Sequence, residues 1–290
     1  MRLGLVTPVL TLLPRAHARW EEDGGIHEVS RIVVAADALG YHHVTCSEHV
    51  AIPTAVAEVR GGRYWDPLAT FGYLAAQTVR IRFATYVLVL GYHHPLAIAK
   101  RYGTLDRVSA GRLVLGVGVG SLEDEFDLLG APFAARGPRA DDALRALRAA
   151  LGQTRPSYRG EHYDFGDVVV DPCAVQAHVP IWVGGRTRRS LRRAATLADG
   201  WAPFGLGPDE VVAWLGAARA HPSWAERRQE LEVVLRPAAA LDPTAEPGAA
   251  VDALGALAEA GATIVDVRLV HRSAGHCVEQ LEALIRLAEA

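Results

Sequence analysis

The chain of 290 residues alternates between β-rich apolar runs and helical patterns eight times from end to end. Two of the runs, 81–90 and 112–120, are almost continuously apolar, which is typical of parallel strands buried on both faces. Eight strand and helix units in a chain of this length predict an α/β fold, a (β/α)8 TIM barrel with right-handed crossovers. A doubly wound open sheet is the alternative, because alternation alone does not show that the sheet closes.

The boundaries of the predicted elements follow from apolar periodicity and from the glycine and proline residues that flank it. We predict strands at 2–7, 42–47, 81–90, 112–120, 180–185, 200–203, 231–241 and 263–271, and helices at 27–40, 66–78, 95–111, 139–152, 187–198, 208–220, 247–260 and 276–289. An aromatic, glycine-containing segment at 158–170 predicts an inserted hairpin ahead of the fifth strand. No linker or low-complexity tract interrupts the pattern, so we expect a single domain over residues 1–290.

Charge and cysteine content argue against several classes of function. The net charge of -3 and the pI near 6.5 give no basic surface for nucleic acid or an anionic membrane. Cys46, Cys173 and Cys277 are odd in number and far apart, which indicates a reducing, cytoplasmic location rather than a disulfide framework. The apolar stretch after Arg2 is broken by Pro8 and does not match a secretory signal. No apolar run approaches the roughly 20 residues that span a bilayer.

Three glycines at the end of the fourth predicted strand resemble a dinucleotide-binding loop at first sight. Gly116, Gly118 and Gly120 alternate at a spacing of two, and Ser121 stands where the G-x-G-x-x-G fingerprint needs its third glycine. The fingerprint therefore fails. Strand alternation predicts that the three glycines share one face, where the absence of side chains leaves room for a flat ring. The other interpretation is that they ease packing within the barrel.

Two further segments carry residues suited to chemistry. Gly184 and Gly185 precede a predicted helix, and a helix N-terminus after glycines is a ready anion site. The motif SEH at 47–49 ends the second predicted strand, and barrel chemistry gathers at the carboxyl ends of the strands. Histidine has a near-neutral pKa that suits proton transfer, so His49 is the first candidate for catalysis. The alternative is that Glu48 and His49 only satisfy each other at the barrel rim.

The order of these motifs resembles the bacterial luciferase-like superfamily, and within it the oxidoreductases that use the deazaflavin coenzyme F420. The resemblance rests on HPLAIAKRYGTLDRVSAGRLVLGVGVG, EDEF, LGAPFAARGPRADDAL, SEHVAIP, YDFGDVVVDP and VPIWVGGRTRRSLRRAATLADGW. It covers nearly the whole chain. It implies a (β/α)8 barrel with an insertion that binds a flavin-type ring at the carboxyl ends of its strands.

The resemblance also implies roles for individual residues. The segment beneath the centre of the deazaflavin carries a non-proline cis peptide and a bulge, and it corresponds to Thr85, Tyr86 and Val87. The edge of the ring is lined by Gly118, Val119, Gly120 and Ser121. Backbone N–H groups that hold the cofactor phosphate belong to Gly184, Gly185, Arg186 and Thr187. His49 gives or takes the substrate proton, and Glu48 contacts the edge of the deazaflavin or orients the histidine.

The helix that follows the phosphate turn is rich in arginine, at 186, 188, 189, 192 and 193. An acidic cofactor tail of linked glutamates would suit these charges, because arginine forms strong charge-assisted bonds with carboxylates. Arg186 and either Arg188 or Arg189 are nearest the turn. A solvated helix face is the alternative interpretation of the same run.

Two residues depart from the glucose-6-phosphate dehydrogenase branch of this superfamily. Pro53 stands where that branch has tryptophan, and Ser121 where it has glutamate, so we do not expect its sugar-phosphate activity. Glu123 or Glu125 could supply an acid nearby, although acids after a strand most often cap the following helix. The sequence leaves this open.

The resemblance therefore predicts an oxidoreductase that transfers a hydride between F420 and a small or medium organic substrate. One alternative is a two-component FMN-dependent monooxygenase, supplied with reduced flavin by a separate reductase. Another is an inactive barrel that only binds a flavin-type cofactor. Barrels of this family often dimerise, so a homodimer is a further expectation. We expect no metal site, because the histidine pairs of the chain do not make a ligand set and the first strand contains no histidine.

Overall fold

The computed structural model describes residues 1–225, 227 and 229–289. Within them, eight parallel strands form a closed barrel, in which the first strand pairs with both the second and the last. The third strand closes the ring on the other side, with Phe83 opposite Leu113. The barrel strands are Arg2–Val6 (β1), His43–Cys46 (β2), Arg82–Thr85 and Leu88–Val89 (β3 and β4, two parts of one strand), Leu113–Gly118 (β5), Ile181–Gly184 (β8), Gly200–Ala202 (β9), Glu232–Leu235 (β10) and Ile264–Val267 (β11). The (β/α)8 prediction is confirmed, and closure excludes the doubly wound alternative.

Helices cover the outside of the barrel and lie between successive strands. They are Ile26–Ala38 (α1), Thr54–Arg60 (α2), Pro67–Ala75 (α3), Pro95–Val108 (α4), Glu123–Leu128 (α5), Arg136–Ala150 (α6), Arg188–Leu197 (α7), Pro208–Arg219 (α8), Pro222–Ala225 (α9), Pro247–Glu259 (α10) and Ala274–Glu289 (α11). Short 3-10 helices occupy Arg19–Glu22 and Leu90–Tyr92. Among the described residues, none of the helices combines the length and the hydropathy that a bilayer crossing demands.

The predicted hairpin ahead of the fifth barrel strand is present and antiparallel. Tyr158–Arg159 (β6) pairs with Asp164–Phe165 (β7), and Tyr158 lies opposite Phe165. The carboxylate of Asp142 on α6 accepts hydrogen bonds from the Tyr158 hydroxyl and from the backbone N–H of His162, the latter at 2.7 Å. This carboxylate therefore anchors the insertion to the barrel helices.

All the predicted strands are longer than the observed ones, and three of the runs show how the strand ends or is interrupted. The run 81–90 is interrupted between β3 and β4 by a cis peptide bond, Tyr86–Val87. The run 112–120 stops at Gly118, since Gly120 has a φ of 77° and lies outside the strand. The run 231–241 leaves the sheet after Leu235. In all three cases the apolar sequence continues beyond the point where the strand ends or is interrupted, into backbone that lies at the carboxyl end of the barrel.

The barrel interior holds a histidine–carboxylate pair among apolar side chains. His43 and Asp266 are both fully buried, and His43 Nε2 is 2.7 Å from an Asp266 carboxylate oxygen. A side chain on Gly4 would overlap the His43 ring, so glycine at this position makes room for the pair. Burial raises the pKa of the Asp266 carboxyl, but His43 and Arg236 outweigh it and hold that pKa below its usual range.

Candidate active site

A cavity of about 640 Å³ opens at the carboxyl ends of the second to fifth barrel strands. Its volume lies in the range of sites that hold organic ligands and cofactors. The structure brings together at this cavity every predicted site residue except Thr85, namely Glu48, His49, Tyr86, Val87, Gly118, Val119, Gly120, Ser121, Gly184, Gly185, Arg186 and Thr187. Residues from four separated segments of the sequence therefore converge on one space.

The floor of the cavity contains the cis peptide bond that the resemblance implied, between Tyr86 and Val87. The N–H of Tyr86 donates to the carbonyl of Cys46 at 2.8 Å, and the Ser47 hydroxyl donates to the carbonyl of Tyr86 at 2.7 Å. Burial raises the pKa of Tyr86 to about 12, so its hydroxyl stays protonated and donates to the Pro203 carbonyl at 3.3 Å. Hydrogen bonds to Cys46 and Ser47 on one side and to Pro203 on the other thus hold Tyr86 in place.

The Val87 side chain lies between two glycines of neighbouring strands. A Cβ on Gly118 would be 2.7 Å from one methyl group of Val87, and a Cβ on Gly184 would be 2.7 Å from the other. These glycines allow the two strands to close around Val87. Thr85 lies below this level: it is fully buried, and its hydroxyl donates to the Gly116 carbonyl at 2.7 Å. Thr85 therefore supports the floor without reaching the cavity.

The expectation that three strand glycines leave open space for a ring is wrong. A side chain on Gly116 would overlap the carbonyl oxygen of Thr85, and one on Gly120 would come within 2.5 Å of the Phe126 ring. Gly120 also lies beyond the strand, so the three do not share one face. Protein atoms fill the space that the glycines vacate, which favours the packing interpretation. The backbone of Gly118 and Gly120 still lines the cavity.

His49 is held at the cavity wall by a buried carboxylate. Its Nδ1 lies 2.6 Å from Oε2 of Glu125, and its ring packs edge-on against Tyr64 with the ring centres 4.5 Å apart. The Glu125 side chain is fully buried and also accepts hydrogen bonds from the Tyr92 hydroxyl and the Val50 N–H, both at 2.7 Å. The sequence left Glu123 and Glu125 as alternatives, and the structure selects Glu125.

These contacts determine the charge of Glu125 and the tautomer of His49. Burial raises the pKa of the Glu125 carboxyl, but hydrogen bonds from Tyr92, His49 and Val50 outweigh it and hold that pKa below its usual range. An ionised carboxylate only accepts hydrogen bonds, so Nδ1 of His49 carries a proton and donates it. Nε2 is then the nitrogen that can take up or release a proton at the cavity.

Glu48 has a different partner from the one that the rim interpretation assumed. One oxygen of its buried carboxylate is 2.7 Å from Nε2 of His93, and the other accepts from the N–H of Val89 at 2.7 Å. Glu48 and His49 therefore do not satisfy each other. Because Glu48 binds both the last residue of β4 and His93 beyond the following 3-10 helix, it orients the chain around the cavity wall.

The turn between β8 and α7 forms a cradle of backbone N–H groups. Thr187 caps α7, since its hydroxyl accepts from the N–H of Ser190 at 3.2 Å. The first N–H groups of a helix have no acceptor within the helix, and together with the helix dipole they favour an anion. Gly185 has a φ of 143°, and a Cβ there would be 2.7 Å from the Cβ of Ser190, so this turn requires glycine. The cradle fits a phosphate group.

Four arginines line the cavity near this cradle: Arg60, Arg136, Arg186 and Arg193. Arg193 donates to the Gly137 carbonyl at 3.1 Å and pairs with Asp141, and the Arg136 guanidinium lies 3.8 Å from the ring centre of Phe133. The Arg188 guanidinium lies over the Trp214 ring, and neither Arg188 nor Arg189 lines the cavity, so their expected contact with an acidic tail stays a prediction. The observed set suits a ligand with more than one negative charge.

Together the closed barrel and its carboxyl-end cavity define a (β/α)8 protein with a ligand site in the usual place for barrel enzymes. The family model for the luciferase-like monooxygenase matches residues 7–284, and the chain belongs to this family. The family comprises flavin- and F420-dependent oxidoreductases and monooxygenases.

The chain is similar in sequence to two bacterial proteins. An uncharacterised protein of Mycobacterium tuberculosis is 33% identical over 189 residues, which are 61% of this chain and 65% of that protein. An F420-dependent glucose-6-phosphate dehydrogenase of Microbacterium testaceum is 31% identical over 183 residues, 62% of this chain and 53% of the relative. The chain thus spans less than two thirds of the length of these relatives.

Two solved structures share the fold at low sequence identity. The F420-dependent tetrahydromethanopterin reductase of Methanopyrus kandleri has a TM-score of 0.74 at 14% identity, covering 98% of this chain and 97% of the reductase. The second structure is the oxygenating constituent of 3,6-diketocamphane monooxygenase of Pseudomonas putida in complex with FMN. It has a TM-score of 0.74 at 18% identity, covering 99% of this chain and 97% of that constituent. The shared fold therefore accommodates either cofactor.

Proposed function

We propose that the protein is an F420-dependent oxidoreductase that transfers a hydride between the deazaflavin and a small or medium organic substrate. The observation that carries this proposal is the pairing of His49 with the buried, ionised Glu125 at the wall of the large cavity. This pair leaves Nε2 of His49 as a proton donor or acceptor beside the cis segment at Val87. An acid–base group at this position matches hydride transfer, which moves a proton together with the hydride.

The described residues fit a deazaflavin cofactor. Tyr86 and Val87 would support the ring, residues 118–121 would border its edge, and the N–H groups of 184–187 would hold its phosphate. The arginines at the mouth would bind its acidic tail. When bound, the deazaflavin supplies or accepts the hydride, and the protein contributes orientation and electrostatics.

The remaining work belongs to side chains of this chain. Glu125 fixes the ring of His49 and the position of the Nδ1 proton, so Nε2 faces the substrate in one orientation. Tyr64 and Tyr92 border the same cavity and restrict the access of water around this pair. Glu48 acts as a positioning residue through Val89 and His93 rather than as an acid or base.

Two observations favour F420 over FMN. FMN carries one phosphate and no acidic tail, whereas four arginines line the cavity mouth in addition to the helix cradle. A relative that is 31% identical is named as an F420-dependent enzyme. The FMN-dependent monooxygenase nevertheless shares the fold, so the reaction has to be tested for its need of oxygen.

We expect turnover without oxygen. The experiment incubates the protein with reduced F420 and a panel of enones, ketones and imines under nitrogen, and follows the return of oxidised F420 absorbance. Oxidation that depends on both protein and substrate, at the same rate in air, supports the proposal. Turnover that requires oxygen, reduced FMN and a flavin reductase would overturn it in favour of the monooxygenase, and tight cofactor binding without turnover would favour the inactive barrel.

A further inference from the structure

A second, smaller cavity adjoins the first on the opposite side of the barrel mouth. It has a volume of about 100 Å³ and lies at the carboxyl ends of β1, β2, β10 and β11. Thr11, Leu13 and Ser47 line both cavities and form their common wall. Thr11 forms a β-bridge with Tyr64, whose ring packs against His49. A molecule in the second cavity would therefore be next to the proposed acid–base pair.

Arg236 follows β10 and connects the two cavities. It lines the second cavity, and its guanidinium carbon lies 3.5 Å from the ring centre of Tyr86, which lines the first. One terminal nitrogen donates to Asp266 at 3.2 Å. Its Nε is buried and has no acceptor among the described residues. A buried donor without an acceptor is costly, so a ligand that supplied an acceptor at this nitrogen would be bound favourably.

Arg268 follows β11 and is the second cation of this cavity. Its side chain is partly buried, and within the described chain it has no hydrogen-bond or ion-pair partner. Guanidinium groups prefer planar, paired acceptors such as carboxylates, which they bind through two parallel hydrogen bonds. Arg236 and Arg268 thus have more N–H donors than the described residues provide acceptors for.

The carboxylates around this cavity are already engaged. Asp266 is fully buried; one of its oxygens accepts from Arg236 at 3.2 Å, and the other lies 2.7 Å from Nε2 of His43. Glu21 is buried as well, and its two oxygens accept from the N–H groups of Val9 and Ala18, each at 2.7 Å. Neither carboxylate is free to neutralise Arg268. Besides its arginines and histidines, the described lining of the cavity contains the hydroxyl groups of Thr7, Thr11, Thr45 and Ser47, which can donate or accept, and no further carboxylate.

The imidazole of His271 adds one more donor. The indole N–H of Trp20 donates to its Nδ1 at 3.0 Å, which leaves the proton of the neutral ring on Nε2. His17, which also lines the cavity, has Nδ1 2.8 Å from the Leu13 carbonyl and Nε2 3.2 Å from the exposed Glu22 carboxylate. The lining thus lacks a free acceptor strong enough to balance the two arginines.

We propose that this cavity binds the carboxylate of the substrate, so that the protein acts on organic acids. Arg236 and Arg268 bind the carboxylate, and the reacting part of the substrate extends past Thr11 and Ser47 toward His49. This assignment rests on the proposed function for the identity of the neighbouring site. The small volume limits the group in the cavity to the carboxylate and a short chain.

The test is a ligand-observed NMR titration of the purified protein, without added cofactor, with propionate and with its neutral isostere propionamide. We expect propionate to bind at least about tenfold more tightly than propionamide, because only the carboxylate pairs with both guanidinium groups. Arg268→Gln is expected to weaken propionate binding about tenfold or more. Arg159→Gln, in an exposed arginine of the hairpin outside both cavities, is expected to leave it unchanged. Equal affinity for acid and amide, or full affinity in Arg268→Gln, would overturn the proposal.

Two further variants keep the result interpretable. Arg268→Lys retains the positive charge but lacks the planar guanidinium that forms two parallel hydrogen bonds, so we expect it to bind propionate with intermediate affinity. This variant replaces Arg268→Gln if Arg268→Gln does not fold. Thr187→Asp, which changes the phosphate cradle, is expected to bind propionate normally. Loss of propionate binding in Thr187→Asp but not in Arg268→Gln would move the anion to the cradle and contradict the proposal.

A cofactor titration on the same samples separates this proposal from the proposed function. We expect F420 to bind the wild-type protein and Arg268→Gln with equal affinity. If propionate binds as expected and neither F420 nor FMN binds, the carboxylate cavity stands and the proposed function fails. If F420 binds and propionate does not, only the carboxylate cavity is contradicted.

Discussion

Replacement of His49 by alanine is expected to lower kcat by about a hundredfold to ten-thousandfold, the usual contribution of a positioned acid or base. The loss should fall on kcat rather than on cofactor binding, because His49 lies at the cavity wall away from the phosphate cradle. Turnover is measured with any substrate that the wild-type protein converts, across the pH range.

His49→Gln serves as the matched control for packing. Glutamine has a side-chain N–H that can donate to Glu125, but it cannot transfer a proton, so the rate should be as low as in His49→Ala while stability is retained. Added imidazole is expected to restore part of the activity of His49→Ala. Wild-type kcat in either variant would show that the proton comes from another group.

The second large effect is expected at Glu125. Its carboxylate accepts hydrogen bonds from His49, Tyr92 and two backbone N–H groups, those of Val50 and Ala51, and its side chain has no exposed surface. Glu125→Gln turns one acceptor oxygen into a donor facing these donors. We expect a loss of about 3 kcal/mol in the free energy of unfolding at neutral pH. Chemical denaturation measures it.

The control for this variant lies two residues earlier in the chain. Glu123 stands in the first turn of the same short helix, α5, and is exposed, so Glu123→Gln should change the unfolding free energy by less than about 0.5 kcal/mol. We also expect kcat in Glu125→Gln to fall about tenfold to a hundredfold, because His49 loses the partner that fixes its tautomer. Equal stability of the two variants would contradict the role assigned to Glu125.

The stability difference between wild type and Glu125→Gln should depend on pH with a defined sign. The folded-state pKa of Glu125 is lowered from the ordinary value of 4.5, so the unfolded chain binds its proton first as the pH falls. The stabilisation from the ionised carboxylate is fully present above pH 4.5 and is lost as the pH falls through the lower, folded pKa. A difference that grew on acidification would contradict this account.

Much of the fold is readable from the sequence. Parallel strands buried on both faces, such as β5, leave continuous apolar runs that alternate with helices, and eight such units are typical of a (β/α)8 barrel. Closure of the sheet was not readable, because an open sheet covered on both faces leaves the same pattern. Strand ends were less predictable. The break at Tyr86 and the positive φ of Gly120 occur within apolar runs, where the backbone changes direction without a change in hydrophobicity.

The site was predictable where function constrains short motifs. His49 and the turn at 184–187 lie at the cavity, as the motifs indicated. The choice between Glu123 and Glu125 was not predictable, because both are acids in one helical turn. Only the direction of the side chain distinguishes a buried hydrogen-bond acceptor from a solvated helix cap. Arg136, Tyr64 and Tyr92 carried no local signal, because they reach the cavity through loop geometry.

The second cavity lies at the rim after the last strand, where His271 lines it. Arg236 and Arg268 were not singled out, because an arginine after a strand looks the same whether it faces solvent or a pocket. Only the pairing of Asp266 with Arg236 and the absence of a partner for Arg268 within the described chain distinguish them.

The phosphate cradle offers the cleanest variant for testing the cofactor. Gly185 is unsuitable, because its φ of 143° and its closeness to Ser190 would strain any side chain whatever its charge. Thr187 is the N-cap of α7, and aspartate and asparagine are both good N-cap residues. Thr187→Asp therefore adds a negative charge at the cradle, and Thr187→Asn is its neutral match.

The most direct test is a side-by-side fluorescence titration of the wild-type protein, Thr187→Asp and Thr187→Asn with F420 and with FMN. We expect the wild type to bind F420 at least about tenfold more tightly than FMN, because the additional arginines pair with the acidic tail. Thr187→Asp should weaken F420 binding about tenfold or more, and Thr187→Asn by less than about threefold. Preference for FMN, or equal F420 affinity in Thr187→Asp and Thr187→Asn, would contradict the account.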